Sequence, residues 1–167
     1  VALVAATAVV SAQQNLRIVP IVHDDQVLLS FELAEAFTGD VREAISSGLR
    51  TTFTYDVQLR MTATFWIDRT VTTMVVSASD EFDNLTRRHT LLRTVDGRVD
   101  GTLVTDDESV VRRWLTTFDR LPLYTTARLD PSRDYYVRIR ARSQPQSESL
   151  LGWVNATTAS ARFTLIP

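Results

Sequence analysis

Two histidines stand among the 167 residues, His23 and His89, and each lies beside groups that could exchange a proton. His23-Asp24-Asp25 offers an imidazole next to carboxylates, two of the three parts of a hydrolase triad. Adjacent residues point to opposite faces of a strand, however, and no Gly-x-Ser-x-Gly elbow occurs, so a polar turn joining two strands is the ordinary reading. His89 follows Arg87-Arg88 inside an expected strand and reads as a half-exposed strand residue, not as a base or ligand. Asp80, Glu81 and Asp83 gather hard oxygen donors in an expected turn, the chemistry calcium prefers. They lack the EF-hand spacing with its central glycine, so beyond this calcium candidate no metal site is expected.

Binding chemistry is better represented than catalysis. Tyr135, Val137, Ile139 and Ala141 alternate with Tyr136, Arg138, Arg140 and Arg142, which places three arginines on the outward face of one strand, with Arg60 as a flanking candidate. Arginine forks suit carboxylate or phosphate groups, on a partner protein or on lipid headgroups. The competing reading is a solvated face paired with acids on neighbouring strands. Of the three tryptophans, Trp114 repeats with Val110, Val111, Leu115 and Phe118 at helical spacing and reads as core. Trp66 falls opposite Phe65 and Ile67 if that segment is a strand. Trp153, with Leu150 and Leu151 in a segment without period, is the candidate exposed anchor.

The rest of the composition narrows the chemistry further. There is no cysteine, and all 18 basic residues are arginine, which excludes thiolate nucleophiles, cysteine-held metals, Schiff bases and the P-loop lysine. A net charge of −2 with 23% charged residues gives no electrostatic footprint for nucleic acid. An apolar fraction of 44% is enough for one domain with its own core. No cofactor is expected.

Elements that would position these residues follow from hydrophobic period. The alternation from Arg50 to Thr62, with Phe53, Tyr55, Val57, Leu59 and Met61 on one face, predicts a half-buried strand. Further strands are predicted over 16–22, 27–33, 65–78, 86–95, 99–105, 135–142 and 161–166, and Asp96-Gly97 is a hairpin turn. Two short helices are expected. One is capped at Asp40, with Val41, Ala44, Ile45 and Leu49 as its apolar stripe and Gly48 near its end. The other opens on Asp106-Asp107-Glu108 and runs to Phe118. From Ser143 to Ser160 no period is visible. Short strands without a domain linker imply a mainly β fold, an antiparallel β-sandwich with two short capping helices, for which an immunoglobulin-like order is one form.

The amino-terminal run Val1–Val10 is small and apolar, and Val10-Ser11-Ala12 has the small-residue pattern of a signal-peptidase site. Residues 1–12 are therefore expected to be the end of a signal peptide or a membrane anchor, and residues 13–167 a single extracytoplasmic domain.

Ala44-Ile45, Gly48-Leu49, Phe53, Phe65-Trp66-Ile67-Asp68, Leu85-Thr86-Arg87-Arg88-His89, Leu115–Leu121 and Tyr136–Arg140 occur in an order and spacing that resemble an uncharacterised bacterial secreted-protein family, classed only as a domain of unknown function. The resemblance covers roughly residues 17–143. It implies a β-rich extracytoplasmic domain and assigns no catalytic residue. The expectation is a periplasmic, membrane-associated and non-enzymatic interaction module, an accessory subunit of a bacterial membrane protein complex. Its expected partners are other subunits or lipid headgroups, and its contact residues Arg138, Arg140, Arg142, Leu150, Leu151 and Trp153. The alternative is a periplasmic carrier of a small apolar or anionic ligand between its sheets, with Arg138 and Arg140 as anion partners. A hydrolase built on His23 is the third reading.

Overall fold

The computed structural model describes residues 16–145 and 155–165. Among these residues nine strands and two α-helices run in the order β1 (Leu16–His23), β2 (Gln26–Leu33), α1 (Gly39–Ser46), β3 (Thr51–Met61), β4 (Arg69–Asp83), β5 (Arg88–Val95), β6 (Arg98–Thr105), α2 (Glu108–Thr116), β7 (Thr117–Thr125), β8 (Tyr135–Pro145) and β9 (Asn155–Phe163). All pairings are antiparallel. They form a three-stranded sheet ordered β1-β2-β7 and a six-stranded sheet ordered β6-β5-β4-β3-β8-β9. Among the described residues no helix is long and apolar enough to cross a membrane.

The core lies where the alternations require. Phe53, Tyr55, Val57 and Leu59 of β3, Val27, Leu29 and Phe31 of β2, and Tyr135, Val137, Ile139 and Ala141 of β8 are buried, while the residues between them face out or stay half-buried. Phe31, Tyr55 and Phe118 join the two sheets. Their ring centroids lie 4.9, 4.7 and 5.2 Å apart, within the range of favourable aromatic pairs. The β5–β6 turn has positive φ at both Asp96 and Gly97, as a type I′ hairpin needs.

The helices start and stop by local chemistry. Thr38, not Asp40, caps α1, its hydroxyl accepting from the Val41 amide. At the other end Gly48 (φ 83°) turns the chain, and the Gly48 and Leu49 amides close on the carbonyls of Ile45 and Ala44 in a Schellman motif. That turn carries Leu49 out of the expected apolar stripe, and it is exposed. Asp107 caps α2 through the Ser109 amide.

Three expectations need correction. The second helix does not reach Phe118, because Thr117 already has extended dihedrals and opens β7, a strand the sequence reading did not foresee. The strand expected over 65–78 begins only at Arg69. The last strand, expected over 161–166, is Asn155–Phe163 and so begins within the 143–160 segment that shows no period, because β8 supplies a complete ladder to a sequence of Ala, Thr and Ser with little apolar signal.

A helix that turns into a strand without a loop leaves its last carbonyls without intrahelical partners. Two side chains of the six-stranded sheet take them. The Tyr55 hydroxyl donates to Leu115 O at 2.6 Å, and Arg93 Nη2 donates to Trp114 O and Thr117 O, both at 2.7 Å. Burial raises the Tyr55 phenol pKa and lowers that of Arg93. Trp114 is half-buried, its ring packed over Gly101 and against Arg93, so the expected core residue is a cover over β5 and β6. Replacing Tyr55 by Phe strands one buried carbonyl and is expected to cost about 1–3 kcal/mol. Arg93→Ala strands two and removes the ring contacts, so it is expected to cost more than Tyr55→Phe in urea denaturation; an equal or smaller cost means the junction holds without the guanidinium.

Candidate functional site

Seven residues, 62–68, connect β3 to β4, and Asp68 organises them. The Ala63 amide donates to Asp68 Oδ1 at 3.1 Å and the Tyr136 hydroxyl to Oδ2 at 2.7 Å. Arg60 Nη2 donates to the Asp68 carbonyl at 2.8 Å, and the Thr62 amide to Asp134 O at 2.9 Å. Donors from β3, the loop itself and β8 thus close its base. The Ala63–Asp68 bond takes Phe65, Trp66 and Ile67 out of the ladder, which is why β4 starts late. These three are 89, 86 and 90% exposed. The alternation expected for Trp66 is replaced by a tip on which all three large apolar side chains meet solvent.

The carboxylate at the base is held ionised. Hydrogen bonds from Tyr136 and then Ala63 keep the Asp68 carboxyl below the usual aspartate range, while burial and Asp68 itself push the Tyr136 phenol up. Arg60 and Arg162 lie close enough to Asp68, and Arg138 to Tyr136, to act on them electrostatically.

Beside the tip's base, the outer face of the six-stranded sheet carries a shallow groove of about 450 Å³, lined by Asp56, Gln58, Arg60, Thr73, Arg138 and Arg140. The three stripe arginines have different surroundings. Arg142 is tied to Asp56 on the neighbouring strand (Nη2–Oδ2 2.9 Å), as the solvated-face reading has it. Arg138 and Arg140 are exposed and make no ion pair among the described residues, and Arg60 flanks them as expected. Leu150, Leu151 and Trp153 lie outside the described residues, as do residues 1–12.

The acidic cluster does not converge. Asp80, expected in a turn, is a fully buried residue of β4 whose Oδ2 meets His89 Nδ1 at 2.8 Å, and burial pushes its carboxyl pKa up against that hydrogen bond. Glu81, one residue on, faces the other way and pairs with Arg50. Asp83 accepts from the Leu85 amide and the Thr86 hydroxyl, both at 2.8 Å. Strand alternation therefore turns Asp80 away from Glu81 and Asp83, and those two, on the exposed face, are taken by Arg50 and by the β4–β5 turn. His89, expected to be half-exposed, is 12% exposed at its side chain and stacks on Phe82, with centroids 4.6 Å apart. His23 and Asp24 contact each other at 3.1 Å in an exposed turn whose residues Asp24 and Asp25 both have positive φ, joining β1 to β2.

Sequence periodicity missed the tip because Phe65–Ile67 has the composition of a strand. The signal that could have found it is Asp68 five residues after Ala63, a spacing that closes a loop on the carboxylate.

Compared with known families, residues 12–156 match the model of a domain of unknown function, DUF4390. No curated protein and no solved structure matches the chain.

Because its pKa is depressed by folding, Asp68 contributes its full support above the ordinary aspartate value of 3.8, and that support disappears as pH falls through the lower folded value. Tyr136→Phe removes the foremost cause of the depression. The Ala63 amide is expected to lose hydrogen-exchange protection in wild type only below pH 3.8, and in Tyr136→Phe at a higher pH than in wild type, with the melting temperature almost unchanged. Identical pH profiles for the two proteins mean the phenol does not hold the loop.

Proposed function

The chain belongs to the DUF4390 family, a domain of unknown function, and from the exposed tip and the apolar amino-terminal run we propose that it is a non-enzymatic, extracytoplasmic interaction module, an accessory or stabilising subunit of a bacterial membrane protein complex. The carrying observation is the exposure of Phe65, Trp66 and Ile67 on a loop closed by Asp68. Water-exposed side chains of this size add nothing to the isolated domain's stability, and consecutive ones form the patch by which soluble proteins dock. Tryptophan at the centre of such a patch is the residue most enriched at binding hot spots. The small apolar run Val1–Val10 with its Val-Ser-Ala ending supports export and a periplasmic or membrane-associated location.

The carrier alternative draws less support. Arg138 and Arg140 face away from the inter-sheet core, so an anion held by them would lie in the outer groove and not between the sheets. Between the sheets stand the Phe31, Tyr55 and Phe118 rings.

The test is retention in the native assembly. The triple variant Phe65→Ser, Trp66→Ser, Ile67→Ser is expected to melt like wild type, since these side chains are almost fully exposed, yet to be lost from the proteins that co-purify with wild type from solubilised membranes. Loss equivalent to about 2 kcal/mol or more marks a hot spot. Undiminished co-purification would remove the tip from the interface.

A further inference from the structure

We infer that the β3–β4 tip docks the domain on an anionic lipid surface, with Phe65, Trp66 and Ile67 entering the boundary between headgroups and acyl chains and arginines around the base meeting lipid phosphates. The inference rests on the interaction-module reading and names its partner. The shape of the site suits lipid, which offers no preformed pocket: three consecutive large side chains project together at 89, 86 and 90% exposure, a wedge that fits a headgroup boundary. Leu85, in the β4–β5 turn, is 95% exposed but single, and an isolated exposed leucine needs no partner.

Charge supplies the second, independent observation. Arg60 and Arg162 stand on either side of Tyr136 in the neighbouring strands β3 and β9, Arg138 lies two residues along β8 on the same face, and Arg69 opens β4 directly after the loop. Opposing them at the base are Asp68, already occupied by hydrogen bonds from Ala63 and Tyr136, and Asp134. The base is therefore net positive in a chain whose net charge is −2. A guanidinium collar around an apolar point matches a phosphate layer over hydrocarbon, with each cation near an anionic surface adding attraction. Tryptophan favours that same boundary, and Trp66 stands 86% exposed at the centre of the tip. Closing the base with Asp68 lowers the ordering needed on insertion, because the backbone is already set.

The experiment uses the full chain and unilamellar vesicles, either phosphatidylcholine alone or an equimolar mixture with phosphatidylglycerol. Wild type is expected to sediment with the mixed vesicles, more weakly as salt rises, and to show a blue shift of tryptophan emission. Trp66→Phe is expected to bind but lose the shift, which assigns the signal to Trp66 and not to Trp114 or Trp153. The Phe65→Ser, Trp66→Ser, Ile67→Ser variant is expected to lose more than about tenfold in partitioning. Arg69→Gln with Arg162→Gln is expected to weaken binding to the mixture and flatten its salt dependence. Absence of binding to both vesicle types overturns the lipid inference, as does binding that survives the triple serine change. If wild type ignores vesicles while that variant is still lost from the native assembly, the tip's partner is a protein and the accessory-subunit reading stands. If neither vesicles nor the assembly respond to it, both fail.

Discussion

The guanidinium of Arg93 is enclosed between the rings of Trp114 and Phe118, with its central carbon 4.5 and 4.2 Å from their centroids. Its hydrogen bonds go to carbonyls of the α2–β7 junction instead of to a carboxylate. Two ring faces, worth about 0.5–2 kcal/mol each, and the negative end of a helix dipole keep the charge where burial alone would disfavour it. The direct passage from α2 into β7 depends on this contact, while β1 meets β8 and β9 elsewhere. Arg93 stands on β5 of the six-stranded sheet, Phe118 on β7 of the three-stranded one, and Trp114 on the helix between them. By satisfying the carbonyls that a loopless helix-to-strand passage leaves open, the side chain lets β7 run straight out of α2 to pair with β2. Phe118 then reaches Phe31 and Tyr55, and the aromatic centre closes.

From that centre the order of the outer surface follows. Tyr55 lies midway along β3, which is paired along its full length with β4 and β8, so the end of β3 is as well placed as its middle. Arg60 and Tyr136 are neighbours across that ladder and both reach Asp68. The loop is thus an extension of the sheet, and its three apolar side chains are held out by polar bonds at their base. Burying them elsewhere in this domain would require breaking those bonds.

Much of the architecture was legible in the sequence where a strand has one dry and one wet face. The alternations of β3 and β8 predicted their buried residues nearly one for one, and Asp96-Gly97 declared its turn because few residues adopt positive φ. Legibility failed where tertiary partners replace local signals. β7 carries no start signal, since its boundary is made by Arg93 and Tyr55 from distant strands. β9 lacks apolar alternation because its ladder comes from β8. For the site, the outward arginines could be read from period two, but the pairing of Arg142 with Asp56 and the freedom of Arg138 depend on strand order. The tip was misread because composition describes Phe-Trp-Ile as a strand, and only the hydrogen bonds to Asp68 decide otherwise. Burial of Asp80 beside His89 likewise depends on a register that periodicity alone does not specify.

The free domain presents an ordered apolar tip, set before any partner arrives. Backbone ¹⁵N relaxation of residues 64–67 in the unbound protein tests it most directly. Order parameters close to those of β3 and β4, near the ~0.85 of rigid backbone, are expected even though the side chains are in water. Values below about 0.6 across Phe65–Ile67 would contradict it, for the tip would then be a loose segment that acquires shape only on contact.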